Sequence, residues 1–141
     1  GKNIVCIAGG SGIAGMMSIL EHGTRAGHFD NYEGAVFFGV RTLSDAFYLD
    51  ALARCVTASN GRLQVTVALS HEEAKTATHP DYPVLKLASG MVHEVAANTM
   101  QGRYENAVVY VAGPPIMVDS TVRALIVGGV PISDIRYDKF S

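Results

Sequence analysis

The chain has 141 residues, 48% of them hydrophobic and 17% charged, with a formal net charge of −2. That length suits one ordinary domain, residues 1–141, able to bury about 70% of its unfolded surface; the absence of a basic run makes nucleic acid and anionic membranes poor partners. The apolar runs are short and broken by Gly or Ser, nothing like a secretory signal opens the sequence, and Cys6 and Cys55 form no motif, so a reduced, cytoplasmic setting is expected.

Ile4-Val5-Cys6-Ile7-Ala8 is an apolar run with β-branched residues, the pattern of a central strand covered on both faces. It breaks at Gly9-Gly10-Ser11-Gly12, and Ile13 to Ile19 then reads as a helix packed back on the sheet. Gly10, Gly12 and Gly15 match the G-x-G-x-x-G spacing. Glycines there let the backbone bend sharply and let a ligand come close. The free N–H groups of the following helix, with roughly half a positive charge, suit a pyrophosphate. The same spacing also arises where a turn merely needs positive φ, so the fingerprint alone leaves both readings open.

After a polar connection from Gly23 to Gly34, Ala35 to Val40 reads as the second strand, ending on Arg41. A dehydrogenase-type site wants an acidic residue at this end to hold the ribose hydroxyls. Asp30 and Glu33 precede the strand and fall at the wrong end, so the ribose must be held differently. No Gly-Lys-Ser/Thr follows the glycines, which removes the P-loop reading. Thr42-Leu43-Ser44-Asp45 supplies cap-type residues for a helix from Ala46 to Thr57, with Phe47, Leu49, Leu52 and Val56 as core positions.

Asn60-Gly61 is a turn signal, and Leu63 to Leu69 alternates as a third strand whose polar positions place it toward the sheet edge. Ser70 to Pro83 is a polar loop with His71 and His79; Val92 to Met100 is helical; Ala107 to Ala112 is a fourth, central strand. Gly113-Pro114-Pro115 breaks it, Ile116 to Val127 forms the last long helix, and Ile132 to Tyr137 gives a fifth strand. Alternating strands and helices predict an α/β fold, a five-stranded doubly wound parallel sheet of Rossmann-like type. Ligands in such sheets bind beyond the carboxyl ends of the strands, where strand order reverses. The first and fourth strands would flank that point, so two glycine-containing breaks meet at one crevice.

The simpler readings cover most other polar residues. His71, His79 and His93, with Glu72 and Glu73, fit no compact ligand spacing, so no metal is expected. Asp45 and Asp50 read as helix-start and solvent-face residues, and the methionines as core filler. Ser11 lacks the G-x-S-x-G context of a nucleophile elbow, and no catalytic side chain is assigned.

Ala8-Gly9-Gly10-Ser11-Gly12-Ile13-Ala14, Phe38-Gly39-Val40-Arg41-Thr42, Ala112-Gly113-Pro114-Pro115-Ile116-Met117 and the ending Tyr137-Asp138-Lys139-Phe140 occur in an order that is fairly specific. Through them the chain resembles the NAD(P)-binding domain of the ferredoxin–NADP reductase superfamily. It looks most similar to reductase components of bacterial multicomponent aromatic-ring and hydrocarbon oxygenases. The resemblance implies that Gly10, Ser11 and Gly12 hold the pyrophosphate and that Gly113, Pro114 and Pro115 line the nicotinamide pocket. It further implies that Arg41, Ser70 and His71 contact the adenosine half and that Phe140 lies near a flavin ring.

The implied activity is passage of a hydride from NADH to FAD, with electrons leaving singly through an iron–sulfur carrier to an oxygenase component. The FAD would be held mainly by a domain expected before Gly1. Two residues depart from the family's pattern: Gly15 stands where Pro is frequent, and Ala112 where a Cys helps position the nicotinamide. NADH is expected rather than NADPH, because relatives that take NADPH often carry Arg after the serine ending the third strand. Here His71 is followed by Glu72 and Glu73, whose carboxylates would repel a phosphate, partly offset by Lys75 and Arg41. A nucleotide-sensing or structural domain without turnover is the alternative.

Overall fold

The structure, a computed structural model, describes residues 1–139. Its strands and helices run β1 (Asn3–Gly9), α1 (Ile13–Arg25), β2 (Gly34–Val40), α2 (Leu49–Ala58), β3 (Leu63–Leu69), β4 (Leu85–Ser89), α3 (Val92–Met100), β5 (Ala107–Gly113), α4 (Pro115–Val127) and β6 (Ile135–Lys139). All strands are parallel, in the order β4-β3-β2-β1-β5-β6. The order reverses between β1 and β5, whose register runs from Asn3↔Ala107 to Ala8↔Ala112.

Because side chains of a strand point alternately to opposite faces, the central strands feed two cores. Ile4, Cys6 and Ala8 of β1 join Val36 and Phe38 of β2 under α1 and α2, which contribute Met16, Met17, Leu20, Leu52, Cys55 and Val56. Val5, Ile7 and Phe37 face the other way, onto Val92, Val95 and Ala96 of α3 and Val118 and Leu125 of α4. Fully burying one such aliphatic or aromatic side chain is worth about 1.5–3 kcal/mol, so each face stabilises the helices that cover it.

The sheet has six strands, not five. Leu85-Lys86-Leu87-Ala88-Ser89 pairs with β3 from Val65↔Leu85 to Leu69↔Ser89. Its shortness and its exposed Lys86 and Ser89 hide it among the loop residues around it. The loop folds back on the outer side of β4, where the His79 N–H donates to the Leu85 carbonyl at 2.9 Å and the Leu87 N–H to the Ala77 carbonyl at 2.9 Å. With β4 in place, β3 is an interior strand, and of its residues only Gln64 is exposed. The edges are β4 and β6, and β6 buries only Ile135.

The expected helix from Ala46 starts later. Leu43–Asp45 is a single 3-10 turn, Ala46 is extended, and Tyr48 takes φ 61° before α2 begins at Leu49. Phe47 is accordingly 40% exposed, although its ring meets Phe38 edge-on at 5.6 Å between centroids. The last strand likewise begins at Ile135 after a 3-10 turn at Ile132–Asp134.

Candidate functional site

The turn after β1 has two glycines with opposite duties. Gly10 has φ +54° and open space where a Cβ would point. Gly12 is pressed against β5: a Cβ there would stand 2.3 Å from the Ala112 carbonyl oxygen. Gly9 and Gly113 also lie close, since a Cβ on Gly113 would be 3.2 Å from the Gly9 nitrogen. The two breaks read from the sequence are thus in backbone contact. Neither α1 nor α4 has an acidic residue in its first turn or a side-chain cap. Pro114 and Pro115 open α4 with fixed φ, as the first helical turn accepts.

A cleft of about 420 Å³ lies over these breaks at the carboxyl ends of the strands. Gly9, Gly10, Pro114 and Met117 form one side; Gly39, Val40, Arg41 and Ala68 rise from β2 and β3; Ser70, Asp45, Met91 and Val92 complete the wall. The far rim is built by two loops fastened together. The Ser70 N–H donates to the Val40 carbonyl at 3.0 Å and the His71 N–H to the Arg41 carbonyl at 2.8 Å. The Leu43 N–H donates to the Glu72 carboxylate at 2.6 Å. Ser70 Oγ and His71 Nδ1 are 2.7 Å apart.

Of the residues singled out by sequence, Gly10, Arg41, Ser70 and Pro114 stand on the walls of this one cleft. Gly12 lies buried beneath the turn and Ser11 exposed at its tip. Gly113 forms the junction with Gly9, and Pro115 begins α4. His71 is exposed on the rim beside Ser70 rather than on the wall. Phe140 lies outside the described residues. Sequence reasoning passed over Asp45 and the two methionines. Met91 is 48% exposed rather than core, because it follows Ser89-Gly90 at the tip of the unread strand β4.

A wider depression of about 1080 Å³ sits at the amino ends of the strands, among Glu33, Arg62, Gln64, Arg103 and Glu105. Its charges are mixed and exposed, and ligands of parallel sheets bind at the opposite end. Among the described residues no three His, Cys, Asp or Glu side chains converge as a metal site. His79 is instead buried, its Nδ1 accepting from the Asp81 N–H at 3.0 Å.

The groups with displaced proton affinities stand away from the cleft walls. Burial pushes the Cys6 thiol up to about 12, and burial also raises the Tyr104 phenol. The Asp119 carboxylate, hydrogen-bonded to Lys139, raises that ammonium. The cleft offers glycine backbone, helix N-termini, two thioethers and the side chains of Arg41, Asp45 and Ser70: it suits holding and orienting a ligand, and reactive chemistry would come from the bound group.

Residues 6–123 match the family described as Oxidoreductase NAD-binding domain. The chain is 32% identical over 142 residues to the reductase component of propane 2-monooxygenase from Mycolicibacterium goodii, covering 98% of this chain and 37% of that protein. It is also 32% identical over 138 residues to the xylene/toluene monooxygenase electron transfer component of Pseudomonas putida, covering 97% and 36%. Among solved structures, the ferredoxin reductase in carbazole 1,9a-dioxygenase superposes with a TM-score of 0.74 at 28% identity, over 99% of this chain and 37% of that one. The chain thus spans little more than a third of the length of these relatives. The matched residues include the glycine turn, the switch point and the Gly113-Pro114-Pro115 break, and the chain belongs to the oxidoreductase NAD-binding domain family of the ferredoxin–NADP reductase superfamily.

Proposed function

We propose that this chain is the NADH-binding part of a flavin-dependent oxygenase reductase. The observation that carries the reading is the single cleft over the contact between the turn after β1 and the break after β5. In it the turn Gly10-Ser11-Gly12 and the first N–H groups of α1 receive the pyrophosphate. Gly113, Pro114 and Pro115, with Met117 behind them, orient the nicotinamide. Arg41, Ser70 and His71 meet the adenosine half. The coenzyme, when bound, supplies a hydride to an FAD held by another domain, with electrons passing onward singly through an iron–sulfur carrier to an oxygenase acting on an aromatic or other hydrocarbon. Phe140, at the end of the chain, is assigned to the flavin boundary.

NADH is preferred over NADPH. A 2′-phosphate would approach Glu72, whose carboxylate is fixed on the Leu43 N–H, and like charges at short range cost about 1 kcal/mol even in bulk water, more near a protein surface. Free Cys6 and Cys55 fit a reducing cytoplasm. Among the described residues no helix is long and apolar enough to cross a membrane.

The second reading, a nucleotide sensor without turnover, draws on Ala112, which stands where the resembled family commonly has a Cys. One experiment separates the two. Joined to a flavin domain and mixed anaerobically with NADH, the protein should bleach the yellow flavin; retained NADH binding with an unchanged flavin spectrum supports the sensor. Failure of the chain to bind NADH at all overturns both.

A further inference from the structure

We propose that Asp45 is the carboxylate that receives the ribose hydroxyls of the adenosine half, and that Glu72 positions the turn carrying it. This rests on the cleft being the coenzyme site. A ribose diol presents two hydroxyl donors and calls for an acceptor near the end of the second strand. Strand β2 ends on Val40 and is followed by Arg41, whose guanidinium can only donate. The next carboxylate along the chain is Asp45. Were α2 to begin at Ala46, Asp45 would do no more than cap it. The 3-10 turn at Leu43–Asp45 instead folds it back, so that Asp45 lines the cleft beside Gly39, Val40, Arg41 and Ser70.

The carboxylate is held there. Asp45 Oδ2 accepts from the Thr42 N–H at 3.2 Å and lies 3.0 Å from Thr42 Oγ1. Glu72 reaches across from the loop after β3 and takes the next N–H, that of Leu43, at 2.6 Å. Two consecutive backbone donors are thereby occupied by two carboxylates, one from the turn itself and one from the loop after β3. Beside the Arg41 guanidinium, the turn presents the Asp45 carboxylate on the cleft wall, with Glu72 holding it from the loop after β3. It suits hydroxyl donors and repels a phosphate dianion in the same place. Glu73 is exposed, as are Asp45 and Glu72, but only the latter two make hydrogen bonds to the turn among the described residues.

The test is calorimetric binding of AMP, 2′-deoxy-AMP and 2′-phospho-AMP to the chain and to its Asp45→Asn and Glu72→Gln variants. Both substitutions keep an oxygen acceptor for the turn and remove the charge. AMP is expected to bind the unaltered chain about tenfold more tightly than 2′-deoxy-AMP, equivalent to about 1.4 kcal/mol. Asp45→Asn should collapse that difference and move the ratio of 2′-phospho-AMP to AMP affinity about tenfold toward the phosphorylated ligand. Glu72→Gln should move the latter ratio in the same direction by less. Equal affinity of the unaltered chain for AMP and 2′-deoxy-AMP overturns the proposal, whatever the variants do. Ratios left unchanged by Asp45→Asn overturn it while leaving the coenzyme site intact. No binding of AMP or NADH anywhere overturns the site itself and this proposal with it.

Discussion

Gly12 and Ala112 are in backbone contact across the switch point: no side chain fits between the Gly12 Cα and the Ala112 carbonyl, which a Cβ would approach to 2.3 Å. The turn is therefore seated on β5 rather than free above the sheet. Two neighbouring glycines consequently differ in what they tolerate. Gly12→Ala should lose about 1–3 kcal/mol of stability through overpacking, read as a lower urea midpoint. Gly10→Val should lose about 1–2 kcal/mol, the ordinary cost of left-handed backbone for a residue with a Cβ. It should nonetheless abolish NADH binding, because the new side chain would fill open space at a residue that lines the cleft. Full NADH affinity in folded Gly10→Val would remove the pyrophosphate from this turn.

At the other end of the cleft, His71→Arg should shift preference toward NADPH by several-fold, with little change for NADH. The His71 backbone N–H is fixed on Arg41 at 2.8 Å, so a new guanidinium would start from a defined point on the rim. Titrations with both coenzymes, followed by nicotinamide fluorescence, give the ratio directly. An unchanged ratio would move the adenosine end elsewhere.

Met91 lines the cleft yet is 48% exposed, so its side chain is available to a ligand and contributes modestly to the core. Met91→Ala should leave the thermal midpoint within a few degrees. It should weaken NADH binding about two- to fivefold, the loss expected from removing a few tens of Å² of apolar contact at about 25 cal/mol per Å². An unaltered dissociation constant would show that the coenzyme does not reach the start of α3.

Cys6 gives a pH prediction with a definite sign. Burial pushes its thiol up to about 12 from the ordinary 9.0, so above pH 9 the unfolded chain releases a proton that the folded chain keeps. Stability conferred by the buried neutral thiol is present below about pH 9 and falls as pH rises toward 12, by about 1.4 kcal/mol per pH unit from this group. Tyr104 and Lys139, both raised, act in the same direction in the alkaline range. Urea denaturation from pH 8 to 11 should show declining stability, more gently in Cys6→Ala. In the native protein at pH 8 Cys6 should resist thiol-specific reagents until the protein unfolds.

The glycine turn, the break after β5 and their meeting at one crevice were legible in the sequence because each is a local signal: an apolar run stopped by Gly, then a helical pattern. The strand at Leu85 was not, because only Leu85 is fully buried and Lys86 faces solvent, so neither alternation nor an apolar run is long enough to read. The polar positions of β3 suggested an edge that β4 in fact covers, and Met91 was read as core with the other methionines although it is 48% exposed. Phe47 misled for a different reason: a bulky apolar residue next to a cap pattern looks like helix core, yet a left-handed Tyr48 resets the chain before α2 begins. Asp45 illustrates the limit most sharply. Its identity as a capping residue was readable, and the capping bond to Thr42 exists, but that a three-residue turn sets Asp45 on the wall of the cleft is a property of three-dimensional packing.

The outer margins of the sheet have a consequence for solution behaviour. The segment Ala77–His79 occupies the hydrogen-bonding side of β4 through Leu87 and Leu85, and β6 carries Arg136, Asp138 and Lys139, all exposed. An unpaired, apolar border invites strand-to-strand stacking between molecules. Here one border is already taken and the other is guarded by charge of both signs, so concentrated protein should resist fibrillar aggregation although its interior strands are as sticky as any.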